Sequence, residues 1–289
     1  MTLKKTFAGT FAFFALTSVG QAADMRPVTK APEASQPVTG YVEVYTGWAN
    51  TEVEFCGGGR CVSSNSDGWV LGGAGRGNYW ISPGMSLQVD AQGEGTSYKV
   101  GDERVSVTNT LIGGHLSWRN PQQSLYGVFA AGGDAFSQRH GLFGAEAQWY
   151  FGQFTTYGQV GYDSTVNAAS GEDSHAWFVR GTGRYFIHPN LMLEGTGMFA
   201  SGEVANLGFD TWLWQAKAEY RLAASPLSVF ATYQGSRTDF DTFRGIDAKV
   251  TDNRVLLGLR LNMGDRNLLA TDRAGATLDI ISPLGVPAR

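Results

Sequence analysis

The chain has 289 residues and a formal net charge of -4, which gives no basis for a nucleic-acid partner, because such partners need a basic surface. Its 39 glycines, 12% aromatic residues and only 17% charged residues suit tightly turned, aromatic-rich β-structure better than a helical enzyme. After the N-terminal region, no segment approaches the roughly 18 uninterrupted apolar residues that a membrane helix needs. If the remaining chain lies in a membrane, it must cross as strands of a closed barrel.

The N-terminus has the features of an export signal. Lys4 and Lys5 precede an apolar stretch over residues 7–19 and then small residues, the pattern of a cleaved secretory signal. We therefore predict a signal peptide over 1–22. Residues 23–39 contain three prolines and almost no bulky apolar side chain, so they are predicted to form an extended, Pro-rich periplasmic linker.

From residue 40 to 263 the dominant sequence period is two. In residues 85–95, Leu87 and Val89 alternate with Gln88 and Asp90, as expected of a strand with one apolar and one polar face. The same pattern predicts an all-β fold over 40–263, a transmembrane antiparallel up-and-down β-barrel of about 12 strands, with about 8 to 14 compatible. The predicted strands start near Tyr41, Gly68, Met85, Val105, Ser124, Gly141, Phe154, His175, Leu191, Thr211, Leu227 and Asn253.

The connections between these strands alternate in length. The short ones cover residues 81–84, 120–123, 151–153, 188–190 and 223–226, and the longer ones include residues 50–67, 165–174 and 239–252. Short turns on one side and long loops on the other are typical of outer-membrane barrels. With the linker leading into the first strand, the short turns are predicted in the periplasm and the long loops outside the cell.

Aromatic residues indicate which face is wet. The eight tryptophans lie within a few residues of predicted strand ends, as interfacial girdles require; they are Trp48, Trp69, Trp80, Trp118, Trp149, Trp177, Trp212 and Trp214. The apolar face is therefore predicted to contact lipid and the polar face to line the lumen.

The polar face carries charges of both signs. Seven basic and six acidic residues are predicted to line the lumen: Glu43, Arg76, Asp90, Glu94, Glu146, Arg180, Arg184, Glu194, Lys217, Glu219, Arg221, Arg254 and Arg260. This near balance suits a lumen crossed by ion pairs at least as well as a selective channel, in which one sign more often dominates a constriction.

Cys56 and Cys61 frame a polar, glycine-rich stretch. Exported chains meet oxidising conditions, and two thiols without nearby histidines do not make a zinc site. A disulfide in the first long loop is predicted, with a redox or metal pair as the weaker alternative; no metal and no cofactor are expected.

His115 and Ser117 are the best candidates for catalysis, because they lie two residues apart on one strand face, where an imidazole can activate a hydroxyl. They lie near the turn end, however, and lumen-facing structural roles are favoured. His140, His175 and His188 show no metal-ligand spacing and are interpreted as solvated. No catalytic residue is therefore assigned.

The end of the chain contains two further features. Gly258, Leu261 and Met263 have the spacing of the C-terminal signal that the outer-membrane assembly machinery reads, although aromatic residues usually fill its last positions. Residues 264–289 follow instead of the chain ending at the last strand. We predict that this segment is a periplasmic tail.

The start of the predicted mature chain, Ala23-Asp24-Met25-Arg26-Pro27-Val28 with Lys30-Ala31-Pro32, is followed by a glycine- and aromatic-containing first strand. It resembles alphaproteobacterial outer-membrane β-barrels of the porin-like surface-antigen group. The resemblance implies an outer-membrane location and a barrel architecture. Familiar members have fewer strands than are counted here, and no functional residue is carried over.

Three functions compete at this point. The leading hypothesis is a porin-like passive channel for small hydrophilic solutes. The alternative is a barrel plugged by its own side chains, with a structural, adhesive or envelope and polysaccharide-export role; an outer-membrane hydrolase is the third. The expected partners are outer-membrane lipid, lipopolysaccharide and the assembly machinery, and the oligomeric state is left open.

Overall fold

A computed structural model describes residues 37–100, 103–135, 138–165, 174–204, 207–243 and 245–283. All of them belong to the unit that spans Ala34–Arg289. The predicted signal over 1–22 and most of the predicted linker lie outside the described residues. In the described part of the chain, no helix is long and apolar enough to cross a membrane.

Twelve antiparallel strands close into a barrel in which each strand pairs with its neighbours in sequence, and the first strand pairs with the last. The strands are β1 Val38–Gly57, β2 Arg60–Ser82, β3 Met85–Val100, β4 Glu103–Asn120, β5 Ser124–Ala135, β6 Gln138–Phe151, β7 Phe154–Thr165, β8 Ser174–His188, β9 Leu191–Val204, β10 Leu207–Arg221, β11 Leu227–Phe243 and β12 Ile246–Met263, and one helix follows, α1 Leu268–Ala274. The predicted fold class and strand number are confirmed.

The sequence pattern predicted the strand limits correctly at one end of the barrel and too short at the other. At the end with the short turns, β3, β5, β7, β9 and β11 begin at the predicted residues. At the other end, the strands continue beyond their predicted limits. The expected loop over residues 50–67 is instead a continuation of the β1–β2 hairpin, and most of the expected loop over 239–252 belongs to β11 and β12.

The β1–β2 hairpin ends in a tight turn that the cysteines close. Gly58 and Gly59 both have positive φ, 59° and 78°, the conformation that a two-residue hairpin turn of the favoured twist requires. Cys56 and Cys61 are opposite each other in the β1–β2 register and form a disulfide. The predicted disulfide is therefore confirmed, and it holds the tip of the longest hairpin.

The outer face is apolar and carries most of the large aromatic residues. Seven of the eight tryptophans point outward, with exposed fractions from 39% for Trp214 to 64% for Trp177. Trp80 is the exception, because its indole Nε1–H donates to the carbonyl oxygen of Ala274 inside the barrel, at 2.8 Å. Leu87, Val89, Leu257 and Leu259 are exposed on this outer face, which is what a lipid-facing surface needs.

Candidate functional site

The lumen wall carries the charged residues that the sequence pattern groups on one face. The structure places all thirteen inside the barrel, eleven of them buried and Glu194 and Lys217 half-buried. Each alternates along its strand with an outward-facing neighbour, as the period of two requires. Further inward-facing charges that the sequence argument did not name include Arg119, Asp163 and Asp252.

On the side formed by β10–β12 and β1–β3, charged residues of the wall pair with one another. Arg260 on β12 contacts Glu43 at 2.7 Å and Glu219 at 2.8 Å. Arg254, which is fully buried, contacts Glu94 and Asp252. Because each guanidinium has two carboxylate partners in a site removed from bulk water, these pairs compensate charge inside the wall itself.

His115 and Ser117 do not form a catalytic pair in the structure. The His115 ring contacts Glu146 through Nδ1 at 2.8 Å and Asp90 through Nε2 at 3.2 Å. The Ser117 hydroxyl bonds instead to that of Ser86, at 2.9 Å. Both ring nitrogens therefore have carboxylate partners, and the imidazole makes no contact that would activate the hydroxyl.

The largest difference from the sequence-based expectation concerns the chain after β12. Residues 264–283, here called the tail segment, turn back into the barrel rather than lying outside it, so the predicted periplasmic tail is wrong for these residues. Asn267 caps α1 by accepting a hydrogen bond from the Ala270 amide at 2.8 Å, a frequent helix start. Beyond α1 the segment runs along the wall, from Leu268, which packs beside the short turn between β8 and β9, to Ser282, which contacts His140 and Asp163 near the opposite end of the barrel.

Polar contacts hold the tail segment along its length. The Gln88 side chain donates to the Leu278 carbonyl oxygen at 2.8 Å and accepts from the Leu278 amide at 3.2 Å, so it pairs with the backbone as a neighbouring strand would. Asp272 accepts from Thr155 at 2.6 Å and from Arg184 at 3.0 Å. These bonds satisfy backbone and carboxylate groups that would otherwise be buried without partners.

Apolar contacts hold it as well. Leu268 packs with Phe186 and Met192 near the turn end. Leu278 packs with Leu125, Tyr150 and Tyr157, and Ile280 and Ile281 complete the largest apolar cluster of the interior. The segment thus contributes to three of the four apolar clusters formed by the described residues.

Near the end of the tail segment, three residues of the hydrolase type meet. Ser282 donates to Asp163 at 2.5 Å and contacts His140 Nδ1 at 3.2 Å, and the same Nδ1 lies 3.2 Å from Asp163. In a Ser-His-Asp triad, serine and carboxylate contact opposite ring nitrogens, so this arrangement does not relay a proton. His140 is buried rather than solvated as expected, and it anchors the tail segment.

A cavity of about 90 Å³ remains between the tail segment and the opposite wall. Glu43, Lys217, Glu219 and Arg260 line it from the wall, and Asp279 lines it from the tail segment. A water needs roughly 10 to 15 Å³ of such space, so the cavity has room for several waters but not for a hydrated solute of porin size.

Comparisons with known proteins agree with this architecture. No protein-family model matches the chain, and no curated protein matches its sequence. An outer-membrane channel from Pseudomonas putida F1 is similar in structure over 82% of this chain and 100% of that chain, with a TM-score of 0.55 and 13% identity. The fold is that of an outer-membrane β-barrel.

Two other solved barrels are similar over much of their length. The toluene transporter TodX of Pseudomonas putida matches over 79% of this chain and 91% of that chain, with a TM-score of 0.48 and 6% identity. An anion-selective porin from Comamonas acidovorans matches over 77% of this chain and 100% of that chain, with a TM-score of 0.39 and 9% identity. At these identities the similarity concerns the fold alone, and of these three structures the Pseudomonas putida F1 channel is the one with a TM-score above 0.5.

The closed barrel with its apolar outer face, and the fold shared with the Pseudomonas putida F1 outer-membrane channel, place the chain in the outer membrane.

Sequence reasoning missed the tail segment, although signals for it were present. Asn267 before Leu268 and Leu269 is a helix start, and the apolar group of Leu278, Ile280 and Ile281 is unusual for a solvated tail.

Proposed function

We propose that the protein is an outer-membrane channel for small hydrophilic solutes, closed in this state by its own C-terminal segment. The observation that carries the proposal is the tail segment itself, which fills the lumen from α1 to Ser282 beside a charged cavity. The wall across the cavity pairs its charges without the segment. That wall supports a polar passage once the segment is displaced.

A truncation tests this function. The variant ends after Gly264, and its folding is checked by the difference in gel migration before and after boiling. In planar bilayers we expect its single-channel conductance to exceed that of the full chain at least tenfold, because the conductive cross-section is no longer filled. Equal conductance of the two folded proteins would contradict the proposal.

A cross-link provides a matched control on the full-length chain. Thr155 and Asp272 touch through their side chains, so the pair Thr155→Cys and Asp272→Cys should hold the tail segment in place when oxidised. We expect a closed barrel under oxidising conditions and conductance after reduction. The same reduction of the unchanged chain shows whether the Cys56–Cys61 disulfide contributes. Conductance of the oxidised pair would mean that the segment does not close the channel.

The plugged structural barrel remains the second candidate, because the tail segment takes part in three apolar clusters. A role as an adhesive or envelope accessory barrel then replaces transport. A folded truncation that conducts no ions favours this alternative.

We also propose that the protein is not a hydrolase. Ser117 bonds to Ser86, and Ser282 shares a single ring nitrogen of His140 with Asp163. Esterase or deacylase activity that is lost on changing Ser117 or Ser282 to alanine would overturn this assignment. We further propose contacts with outer-membrane lipid and lipopolysaccharide, recognition by the assembly machinery and an alphaproteobacterial origin.

A further inference from the structure

Asp279 of the tail segment occupies a group of hydrogen-bond donors on the lumen wall. Arg180 Nη2 contacts its carboxylate and donates to its carbonyl oxygen at 3.2 Å. That carbonyl also accepts from Gln159 at 2.8 Å. The Tyr157 hydroxyl lies 3.3 Å from the same carbonyl, while its single proton is donated to Glu146 at 2.7 Å. Three side chains from two neighbouring strands therefore converge on one residue of the tail segment.

The lumen wall near Asp279 has more donors than this residue uses. Nε and Nη1 of Arg180 and Nη2 of Arg76 are buried and have no acceptor among the described residues. Arg76 and Arg184 line the same cavity as Asp279. Since buried donors are normally satisfied, the group is suited to a ligand with more oxygen acceptors than one aspartate offers.

The arginines are also held in place before any ligand binds. The Arg180 guanidinium lies over the Tyr157 ring at 5.0 Å and that of Arg184 at 5.5 Å. Arg184 is further fixed by Glu194 at 2.7 Å. A planar guanidinium held in this way matches carboxylate and phosphate groups through paired N–H donors.

We propose that Arg180 and Arg76 form an oxyanion-binding site on the solute path, that the Asp279 carboxylate occupies it as an internal competitor, and that Gln159 joins it once the tail segment is displaced. The solutes it takes carry a carboxylate or a phosphate group. The site rests on the proposed function, because it names the class of solute that displaces the tail segment. Oxyanions compete with Asp279, so a solute of this class both binds and favours opening.

Binding to the full-length chain in detergent tests the site without requiring conduction. Asp279→Ala removes the internal carboxylate and frees its donor on Arg180, while the main-chain carbonyl of residue 279 still accepts from Gln159. Titration calorimetry with acetate and with inorganic phosphate, at ionic strength held constant by sodium chloride, should show at least tenfold tighter binding than in the unchanged chain. The stronger of the two probes identifies the carboxylate or the phosphate as the preferred group. Asp134→Ala, which removes an exposed carboxylate, should leave the affinity unchanged.

A second substitution keeps the test decisive. Arg180→Lys in the Asp279→Ala chain keeps the charge but loses the fork of donors, and we expect binding to fall at least tenfold while the gel shift on boiling persists. If Asp279→Ala does not fold, Asp279→Asn is used instead, because asparagine keeps the shape of the aspartate side chain. Binding no tighter than in the unchanged chain, or binding that Arg180→Lys leaves intact, would overturn the site.

The two proposals can fail separately. If the truncated barrel conducts but Asp279→Ala binds neither acetate nor phosphate, the oxyanion site is wrong and the channel stands. If the variant binds them but the truncated barrel never conducts, the site stands as a binding site in a plugged barrel, and the channel fails.

Discussion

The two sides of the lumen compensate their charges in different ways. On the side of β1 and β12, Arg260 finds Glu43 and Glu219 within the wall. On the side of β8, Arg180 takes its carboxylate partner from the tail segment, and Arg184 pairs both with Glu194 of the wall and with Asp272 of the tail segment. The first side is complete without the tail segment, whereas Arg180 on the second side depends on it. The tail segment is therefore held by the β8 side, and the charges of the opposite wall keep their partners when the segment leaves.

The largest effect is expected on the self-sufficient side. Arg254→Ala leaves Glu94 and Asp252 without their shared cation in a buried site, which costs about 3 to 5 kcal/mol out of a typical folding stability of about 5 to 15 kcal/mol. Urea unfolding followed by the gel shift should therefore move to lower urea. Arg237→Ala is the control, since its partner Asp239 is exposed and such pairs contribute about 0 to 1 kcal/mol. Equal loss in both variants would remove the distinction between buried and exposed pairs.

The second-largest effect is a local loss of stability in the tail segment, which should leave the strands of the wall unchanged. Leu278 is fully buried among Leu125, Tyr150 and Tyr157, and truncating a buried leucine to alanine costs about 2 to 5 kcal/mol. In Leu278→Ala, hydrogen exchange should speed up in residues 276–283 while the strands keep their protection. Faster exchange in β10–β12 to the same degree would show that the two halves are not independent.

The smallest effect concerns Asp265, where the chain leaves the wall. Burial raises the pKa of this carboxyl to about 6, against weaker opposing effects of Thr271, Arg221 and Arg119. The folded state thus favours the neutral carboxyl. The stability that this neutral carboxyl contributes is complete below about pH 4 and is lost as pH rises to about 6. Because one pKa unit corresponds to about 1.4 kcal/mol, the total is on the order of 1 to 3 kcal/mol.

Asp265→Asn tests this dependence, because it removes the titrating group. The unchanged chain should lose stability between pH 4 and 6 relative to the variant, and the two curves should run parallel above that range. Urea unfolding at a series of pH values measures the difference. A difference between the two proteins that does not change with pH would contradict a buried, titrating carboxyl at this position.

The wall of the barrel was predictable from sequence because, where its outer face contacts lipid, apolar outward-facing residues alternate along each strand with mainly polar inward-facing ones. Val89 and Asp90 illustrate this, since one faces outward and the other lies inside. Where a strand extends beyond the apolar outer face, both of its faces are polar, and the sequence period of two disappears. Residues 50–67 were therefore predicted as a loop, although pairing continues to the turn at Gly58 and Gly59.

The tail segment was not predictable from a strand pattern, because its contacts are spread over many strands. Leu278 meets Gln88 of β3 and Tyr157 of β7, and Ser282 meets His140 of β6. No local spacing encodes such contacts. The inward-facing apolar residues that receive Ile280 and Ile281, such as Phe129 and Phe178, are also invisible when the inner face is taken to be wholly polar.

The position of residue 282 tests the central claim most directly, because the tail segment is either inside the lumen or outside it. Ser282→Cys introduces the only free thiol, since Cys56 and Cys61 are joined, and Asp134→Cys on the exposed surface serves as the control. In the folded barrel, a polyethylene-glycol maleimide should label the control rapidly and leave residue 282 unlabelled until the protein is boiled. Equally rapid labelling of residue 282 in the folded barrel would contradict a lumen closed by the tail segment.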